Sequence, residues 1–375
     1  MPARGDSDAA ALPAGLREAL AELLPGWRPT AVRALAADEA AGPDRDAGAT
    51  GKATGYGEPV RVTLRGAGGL ERDVVLHTAS ANPYGHDRRA DRAAELLLAF
   101  DTFGDIPDHV RALDVGAIRP DGRLISLRDA GEFYLLTSHA PGRPYAEDLR
   151  RIAASGATSD LDRARCDALA SALARLHTPI GDRPHAYSRA IRDLVGSGEG
   201  IFGVVDGYPA DTPAAPPERL RAIERRAADW RWRLRGRQDR LTRTHGDFHP
   251  FNVLFADGAA PALLDASRGC AGDPADDVTC MALNYVFFAL ERPASWRTAL
   301  GPLWRRFWAR YLEERDDPDI LEVAPPFVAW RGLVMASPSF YPAVPAGARD
   351  RLLRLVEEVL DAGCLELAAA ERVLS

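Results

Sequence analysis

The chain has 375 residues, 46% hydrophobic and 27% charged, with a formal net charge of −7. That length is too great for one compact core and suits two, and the composition is that of an ordinary globular protein. The acidic balance excludes nucleic-acid binding by bulk charge, and the four scattered cysteines (Cys166, Cys270, Cys280, Cys364) have neither a CxxC pair nor zinc-site spacing.

The first fifteen residues lack the apolar stretch of a secretion signal, and no run approaches the length that crosses a bilayer. Both point to a soluble, cytoplasmic protein with no membrane partner. Apolar residues at helical spacing over 14–25, stopped by Pro25-Gly26, predict a short amphipathic helix. Residues 38–58 are rich in Gly, Ala, Asp and Thr and end in GATGKATGYGEP. The lysine there, Lys52, stands alone among 47 basic residues; a GC-rich coding bias accounts for the arginines but not for the survivor. Next, VRVTL (60–64) and DVVLHT (73–78) predict an antiparallel strand pair behind a glycine-rich loop at about 48–57, and 87–100 predicts a helix. Further strands are expected at 123–127 (RLISL) and 132–137 (EFYLLT), before SHAPGRPY breaks the pattern.

From about residue 145 the chain reads as helical. Helices over 161–177 and 217–235 are clear, with a Gly/Pro-rich, exposed and irregular connection expected at 194–216. Residues 253–264 read as strand–turn–strand about Asp257-Gly258, and helices resume after 275. The expected order is a small β-rich lobe over 1–138 and a larger helical lobe over 139–375.

The densest polar cluster is THGDFHPFN, residues 244–252. Its core is His245-x-Asp247, with Asn252 five residues after the aspartate. A hairpin brings its ends together, so Asn252 and Asp265 should sit side by side, with Asp247 in front. One carboxylate and one amide oxygen on adjacent strand ends can hold Mg²⁺, a hard ion that takes few protein oxygens and uses phosphates for the rest. Asp247 is then free to orient an attacking hydroxyl and accept its proton.

The H-x-D-x-x-x-x-N spacing resembles the protein-kinase catalytic loop, and Asp265 resembles its metal-binding aspartate. More specifically, HGDFHPFN followed by LLDASRGCAGDPADDV is similar to the aminoglycoside phosphotransferase and choline kinase-like family. The similarity is strong over 244–278 and weaker over 132–177. It implies an α+β, bilobal, protein-kinase-like fold and transfer of phosphate from ATP, with Mg²⁺, to a hydroxyl group of a small molecule. Neither a nucleic-acid nor a protein partner is implied. Carried over by position, Asp247 is the catalytic base, Asn252 and Asp265 the metal ligands, and Asp277 a structural brace of the catalytic loop. His245 holds that loop through backbone hydrogen bonds. His249 and Asp273 are open between structural and catalytic roles, and His249 is placed with the structural supports. Residues 136–139, with Thr137 and Ser138 at their centre, match the hinge whose backbone meets adenine.

The family pattern bends in the small lobe. Its strand lysine is replaced by His77, which is mostly neutral near pH 7 and neutralises phosphate less well. Glu95 is the candidate acid on the next helix, with Asp91 competing. Lys52 is expected to reach the phosphates from the glycine-rich loop, helped by His77. That loop is not a Walker A motif, since Asp46 replaces its first glycine and Ala53 its Ser/Thr. Ser267 stands where relatives often carry an acid. These departures keep a nucleotide-binding or interaction module without turnover as the alternative, and the presence of the base and both metal ligands favours the enzyme. A two-metal phosphoesterase, suggested by GDFH (246–249) and GDPAD (272–276), needs later histidines, and the eight end at His249. The aromatic segments 284–290, 304–308 and 328–332 read mainly as helix-packing core, and the acidic run 313–319 as a solvated helix end or loop. Family acceptors include aminoglycosides, choline, amino alcohols and sugars, and nothing in the sequence selects one.

Overall fold

Val60, Val62 and Leu64 alternate with polar residues, so an extended chain there has one apolar face, and Val62 and Leu64 are fully buried. The structure, a computed structural model, describes residues 15–34, 57, 59–181, 183–266 and 268–374. The chain divides into two units, Met1–Thr137 and Ser138–Ser375. The α+β, two-lobed class expected from the sequence is the one observed.

In the first unit, α1 (Leu16–Leu23) precedes a sheet of β1 (Arg28–Ala34), β2 (Val60–Arg65) and β3 (Glu71–Leu76), antiparallel and in that order. Leu16 and Leu20 of α1 close its apolar face over Val32, Val62 and Leu64. The β2–β3 register runs from Val60 opposite Leu76 to Arg65 opposite Glu71. His77 therefore lies just past the end of β3 rather than within a strand over 73–78, and it is exposed. Gly57, the described end of the glycine-rich loop, bridges Ala79; a Cβ there would fall 1.8 Å from the Thr78 carbonyl oxygen, so only glycine permits the approach. Helix α2 (Arg89–Thr102) follows, started by Asp91, which accepts the Arg88 backbone N–H at 2.8 Å.

A two-stranded ladder of β4 (Gly116–Ile118) and β5 (Leu124–Ser126) comes next. The strand expected at 132–137 does not form: the segment carries no regular structure, and Tyr134, Leu135 and Leu136 are 93%, 87% and 88% exposed. A run of β-favouring residues becomes a strand only where a neighbour supplies ladder hydrogen bonds, and none of the described strands pairs with it.

The second unit opens with β6 (Arg143–Pro144), α3 (Tyr145–Ser155) and α4 (Asp160–Leu176). Ser159 and Asp162 start α4 reciprocally: Ser159 Oγ accepts the Asp162 N–H, and Asp162 Oδ2 accepts the Ser159 N–H. Then come α5 (Ala186–Gly196), α6 (Ile201–Asp206) and α7 (Pro217–Arg233), the last with proline at its first position. Helix α6 corrects the exposed connection expected at 194–216. Ile201, Val204, Tyr208 and Ala215 are buried there, because apolar residues at helical spacing found a core to enter.

Beyond the hairpin of β7 (Val253–Phe255) and β8 (Pro261–Leu263) lie α8 (Pro274–Ala289), α9 (Gly301–Glu314), α10 (Ile320–Val323), α11 (Pro325–Ala336), α12 (Ala346–Ala362) and α13 (Ala369–Leu374). Tyr285, Phe307, Trp308 and Tyr311 are fully buried in one core that joins these helices, each large side chain adding about 1.5–3 kcal/mol of burial free energy. The acidic run 313–319 is not wholly solvated: Asp317 is paired with the buried Arg240, and Asp319 with Arg237. No helix among the described residues is long and apolar enough to cross a membrane.

Candidate active site

Strands β6, β7 and β8 form a small antiparallel sheet, with Val253 opposite Leu263 and Phe255 opposite Pro261. The ladder extends one step further, since the Leu264 N–H donates to the Asn252 carbonyl at 2.9 Å. Asn252 and Asp265 are thereby brought to the same end of the hairpin. Asp265 sits two residues past β8 with φ of 54°, a left-handed conformation that few non-glycine residues adopt. It is exposed.

The loop before β7 is held from two directions. Its backbone turns at Gly246, where φ is 83°. Asp277, in the first turn of α8 and fully buried, accepts the His245 N–H at 2.7 Å and the Gly246 N–H at 2.8 Å. Within the loop, His245 Nδ1 accepts the Asp247 N–H at 3.3 Å, and Asn252 Nδ2 donates to the Asp247 carbonyl at 3.1 Å. His249 Nδ1 accepts the Phe251 N–H at 3.1 Å, which leaves its Nε2 3.5 Å from Asp247 Oδ2. His245 and Asp277 thus both bind the loop backbone, and His249 faces the Asp247 carboxylate.

Two arginines that the motif did not single out meet the same carboxylate. Arg331 of α11 donates from Nη1 to Asp247 Oδ1 at 2.8 Å, and from Nη2 to the Gly246 carbonyl at 3.0 Å and Asp276 Oδ1 at 2.8 Å. Arg268 donates from Nη1 to Asp247 Oδ1 at 2.9 Å and from Nε to Glu199 at 2.8 Å. Both guanidiniums lie over the Trp330 ring, 3.8 Å (Arg331) and 4.9 Å (Arg268) from its centroid. Burial pushes the Asp247 carboxyl up, but His249, Arg331 and Arg268 outweigh it and hold the group well below the usual carboxylate range. Asp276 goes the other way: burial, aided by neighbouring Asp277 and opposed by Arg331, pushes it up to about 6. The available signal for Arg331 was an arginine inside the apolar run VAWRGLVM, since a charged residue on a buried helix needs a partner.

Asp273, left open by the sequence, caps α8 through the Ala275 N–H and takes two hydrogen bonds from Arg240 and one from Tyr187. A cavity of about 290 Å³ opens beside Asp265, lined also by Thr244, His245, Leu264, Ala266 and Cys270. Among the described residues no group of three or more His, Cys, Asp or Glu side chains is placed to hold a metal ion. The Asn252–Asp265 pair is a different donor set, all oxygen and small in number. Asn252 Nδ2 is engaged by the Asp247 carbonyl, so Oδ1 is its remaining end, and this fits Mg²⁺, which leaves its other positions to phosphate and water.

The other predicted residues belong to the first unit or its boundary. Glu95 of α2 has its Oε2 3.0 Å from His86 Nδ1, and Asp91 is used at the start of its own helix. Thr137 and Ser138 are exposed and stand on either side of the division between the units. Lys52 and Ser267 lie outside the described residues.

Residues 61–323 match the model of the phosphotransferase enzyme family. The chain belongs to that family. The HGDFHPFN loop and the GDPADD segment of this phosphotransferase lie inside the matched region. No curated protein matches it. Among solved structures it is similar to the aminoglycoside phosphotransferase APH(3'')-Id from Streptomyces rimosus, at 20% identity, over 72% of this chain and 89% of that one, with a TM-score of 0.34. A glucosamine kinase in complex with glucosamine, ADP and inorganic phosphate is similar at 16% identity, over 95% of this chain and 96% of that one, with a TM-score of 0.38. An amicoumacin kinase in complex with AMP-PNP, Ca²⁺ and its ligand follows at 14% identity, over 83% and 87%, with a TM-score of 0.37.

Proposed function

We propose that this phosphotransferase moves the γ-phosphoryl group of ATP to a hydroxyl group of a small molecule, with Asp247 orienting that hydroxyl and Mg²⁺ held by Asn252 and Asp265. The observation that carries the reading is the placement of these three residues on one buttressed loop and one hairpin end, with the backbone at 245–246 pinned by Asp277. The left-handed backbone at Asp265 supports it further, because such strain persists where surrounding structure enforces it, often at functional sites.

Bound there, the metal supplies charge neutralisation for the transferred phosphate. The chain's own residues do the rest. Asn252 offers Oδ1 and ties its Nδ2 to the Asp247 carbonyl, so the metal ligand and the acceptor-orienting residue move as one piece. Asp247 holds its charge against burial because Arg331, Arg268 and His249 surround it. So strongly acidic a carboxylate is a weak proton sink; it accepts the hydroxyl's hydrogen bond, aims its oxygen, and takes the proton only as that oxygen bonds to phosphorus. Lys52 and His77 are the proposed cations for the nucleotide phosphates, and Glu95 is the proposed acid of the small lobe. The 136–139 segment, including Thr137 and Ser138, is the proposed adenine contact.

The test is ADP release from Mg-ATP across a panel of hydroxyl compounds, including aminoglycosides, choline, ethanolamine and amino sugars. Acceptor-dependent release that disappears in Asp247→Ala supports the reading. Stabilisation by nucleotide with no release on any acceptor favours a binding module instead.

A further inference from the structure

We propose that Arg331 is a positioning residue: by occupying Oδ1 of Asp247 it leaves Oδ2 as the oxygen that receives the acceptor hydroxyl. The inference rests on the acceptor-orienting role given to Asp247 above.

A carboxylate has two equivalent oxygens and turns easily about its last bond, so a free aspartate offers either one in many directions. Here both arginines choose the same oxygen. Arg331 Nη1 and Arg268 Nη1 reach Oδ1 at 2.8 and 2.9 Å, while among the described residues the polar side chain against Oδ2 is the His249 ring, at 3.5 Å. The carboxylate is therefore locked in rotation, with one oxygen saturated and the other available.

The two arginines differ in how firmly they are held. Arg268 is partly exposed, and its second partner, Glu199, is 71% exposed, so that arm lies near solvent. Arg331 is 5% exposed. Its guanidinium lies against Trp330, donates to Asp276 in the first turn of α8, and also binds the Gly246 carbonyl. The Trp330 indole in turn donates to the Glu199 carbonyl at 2.7 Å. Helix α11 packs on α8, so Arg331 transmits the position of the helical core to one oxygen atom.

The arginine is an expensive way to fill that space. Its Nε is buried without a hydrogen-bond partner among the described residues, and a buried charge network contributes less to stability than apolar side chains of the same volume often do. Packing alone does not account for it, whereas orientation of the acceptor does, since misplacement of a reacting group by about 1 Å can cost about a hundred-fold in rate.

The test uses the full chain and three variants. Arg331→Met removes the guanidinium, Arg331→Lys keeps charge without the fork, and the double variant R331M/D276N removes both buried charges so that Asp276 is not left unpaired. Each is assayed for ADP release from Mg-ATP with water as the acceptor. The expected result is a kcat lower by about ten-fold or more, with KM for Mg-ATP within about two-fold of wild type and Arg331→Lys failing to restore the rate. A kcat that stays within two-fold, or a loss seen in KM alone, overturns the proposal. Crystal structures of Arg331→Lys and of the double variant give a readout independent of turnover. The Asp247 carboxylate is expected to rotate or to occupy two orientations while the backbone of 244–252 stays in place; a single, unchanged orientation overturns the proposal. If the wild-type chain releases no ADP with water or any hydroxyl compound, the phosphotransfer reading fails, and the orientation of Asp247 still decides the role of Arg331.

Discussion

His177 Nε2 lies 3.1 Å from Asp277 Oδ2, and neither side chain has any exposed surface. A carboxylate only accepts, so the imidazole donates from Nε2 to Asp277, and its Nδ1 is hydrogen-bonded to the Tyr311 hydroxyl at 2.8 Å. A polar chain thus runs through the core from Tyr311 of α9, by His177 at the end of α4, to Asp277 of α8. It ends on the backbone N–H groups of His245 and Gly246. The loop that carries Asp247 is fastened to three helices through one carboxylate.

Replacing that carboxylate should be costly. Asp277→Asn keeps the shape but sets an NH₂ group against one of three donors, and leaves the remaining contacts uncharged. A loss of about 2–4 kcal/mol of stability is expected, read as a lower urea midpoint at unchanged m-value, and turnover should fall with it.

Gly246 is held by its conformation as much as by its contacts. At φ of 83° any L side chain is strained, and a Cβ would also sit 3.3 Å from the Arg268 Cβ. Gly246→Ala is therefore expected to cost about 1–2 kcal/mol. Activity should drop more than stability, because Arg268 is displaced from Asp247. Thermal unfolding and ADP release, measured on the same preparation, check both halves.

Asp276 and Asp247 give pH dependences of opposite sign. Asp276 titrates near 6 in the folded chain, above its ordinary value of 3.8. Between those two values the folded state holds a proton that the unfolded state has released, so the contribution of Asp276 to stability is fully present below pH 3.8 and is lost as pH rises through 6. Asp247 is depressed, so its contribution is present above its unfolded value and is lost only as pH falls well below it. Of these two carboxylates, it is Asp276 whose contribution changes between pH 4 and 7. Asp276→Asn removes that titration, so its stability relative to wild type should improve from pH 5 to pH 7.5, as measured by urea midpoints at the two values. A difference that does not vary with pH would contradict the assignment.

Asp265 is exposed at the hairpin end and is the proposed carboxylate ligand of the metal. Mg-ATP is expected to raise the unfolding temperature of the wild-type chain, in proportion to the logarithm of nucleotide concentration over Kd. The rise should disappear with EDTA and in Asp265→Ala. It should persist in Asp247→Ala, which removes acceptor orientation and leaves the metal pair intact. A shift that survives EDTA in full would separate nucleotide binding from the metal.

The residues legible from the sequence are those whose chemistry lies within one short stretch. His245, Asp247 and Asn252 share nine residues, and the Asp257-Gly258 hairpin carries the chain back to Asp265, so covalent spacing and a tight turn suffice to gather them. The alternating faces of β2 and the helical spacing of α4 and α7 were readable for the same reason: each depends on neighbours only a few positions away. Segment 132–137 shows the limit, since its residues favour a strand and none of the described strands pairs with them. Segment 194–216 shows the reverse, since Gly and Pro obscured apolar residues that the core of the second unit collects.

What surrounds Asp247 was decided by the tertiary structure. Arg331 is 84 residues further along the chain, and its meeting with Asp247 depends on how α11 packs on α8. The same is true of His177, 100 residues from Asp277. Sequence spacing determines which groups can be neighbours through a turn; it does not determine which helices meet. Nor does it determine how much water is removed where they meet, and that removal sets the strength of every charge pair around the carboxylate. The sequence by itself pointed to a phosphotransferase loop and to the oxygen ligands proposed for its metal. Only the packing of α11 on α8 placed Arg331 on the oxygen of Asp247 that Arg268 also meets, because burial and long-range contact, unlike spacing, exist only in the folded chain.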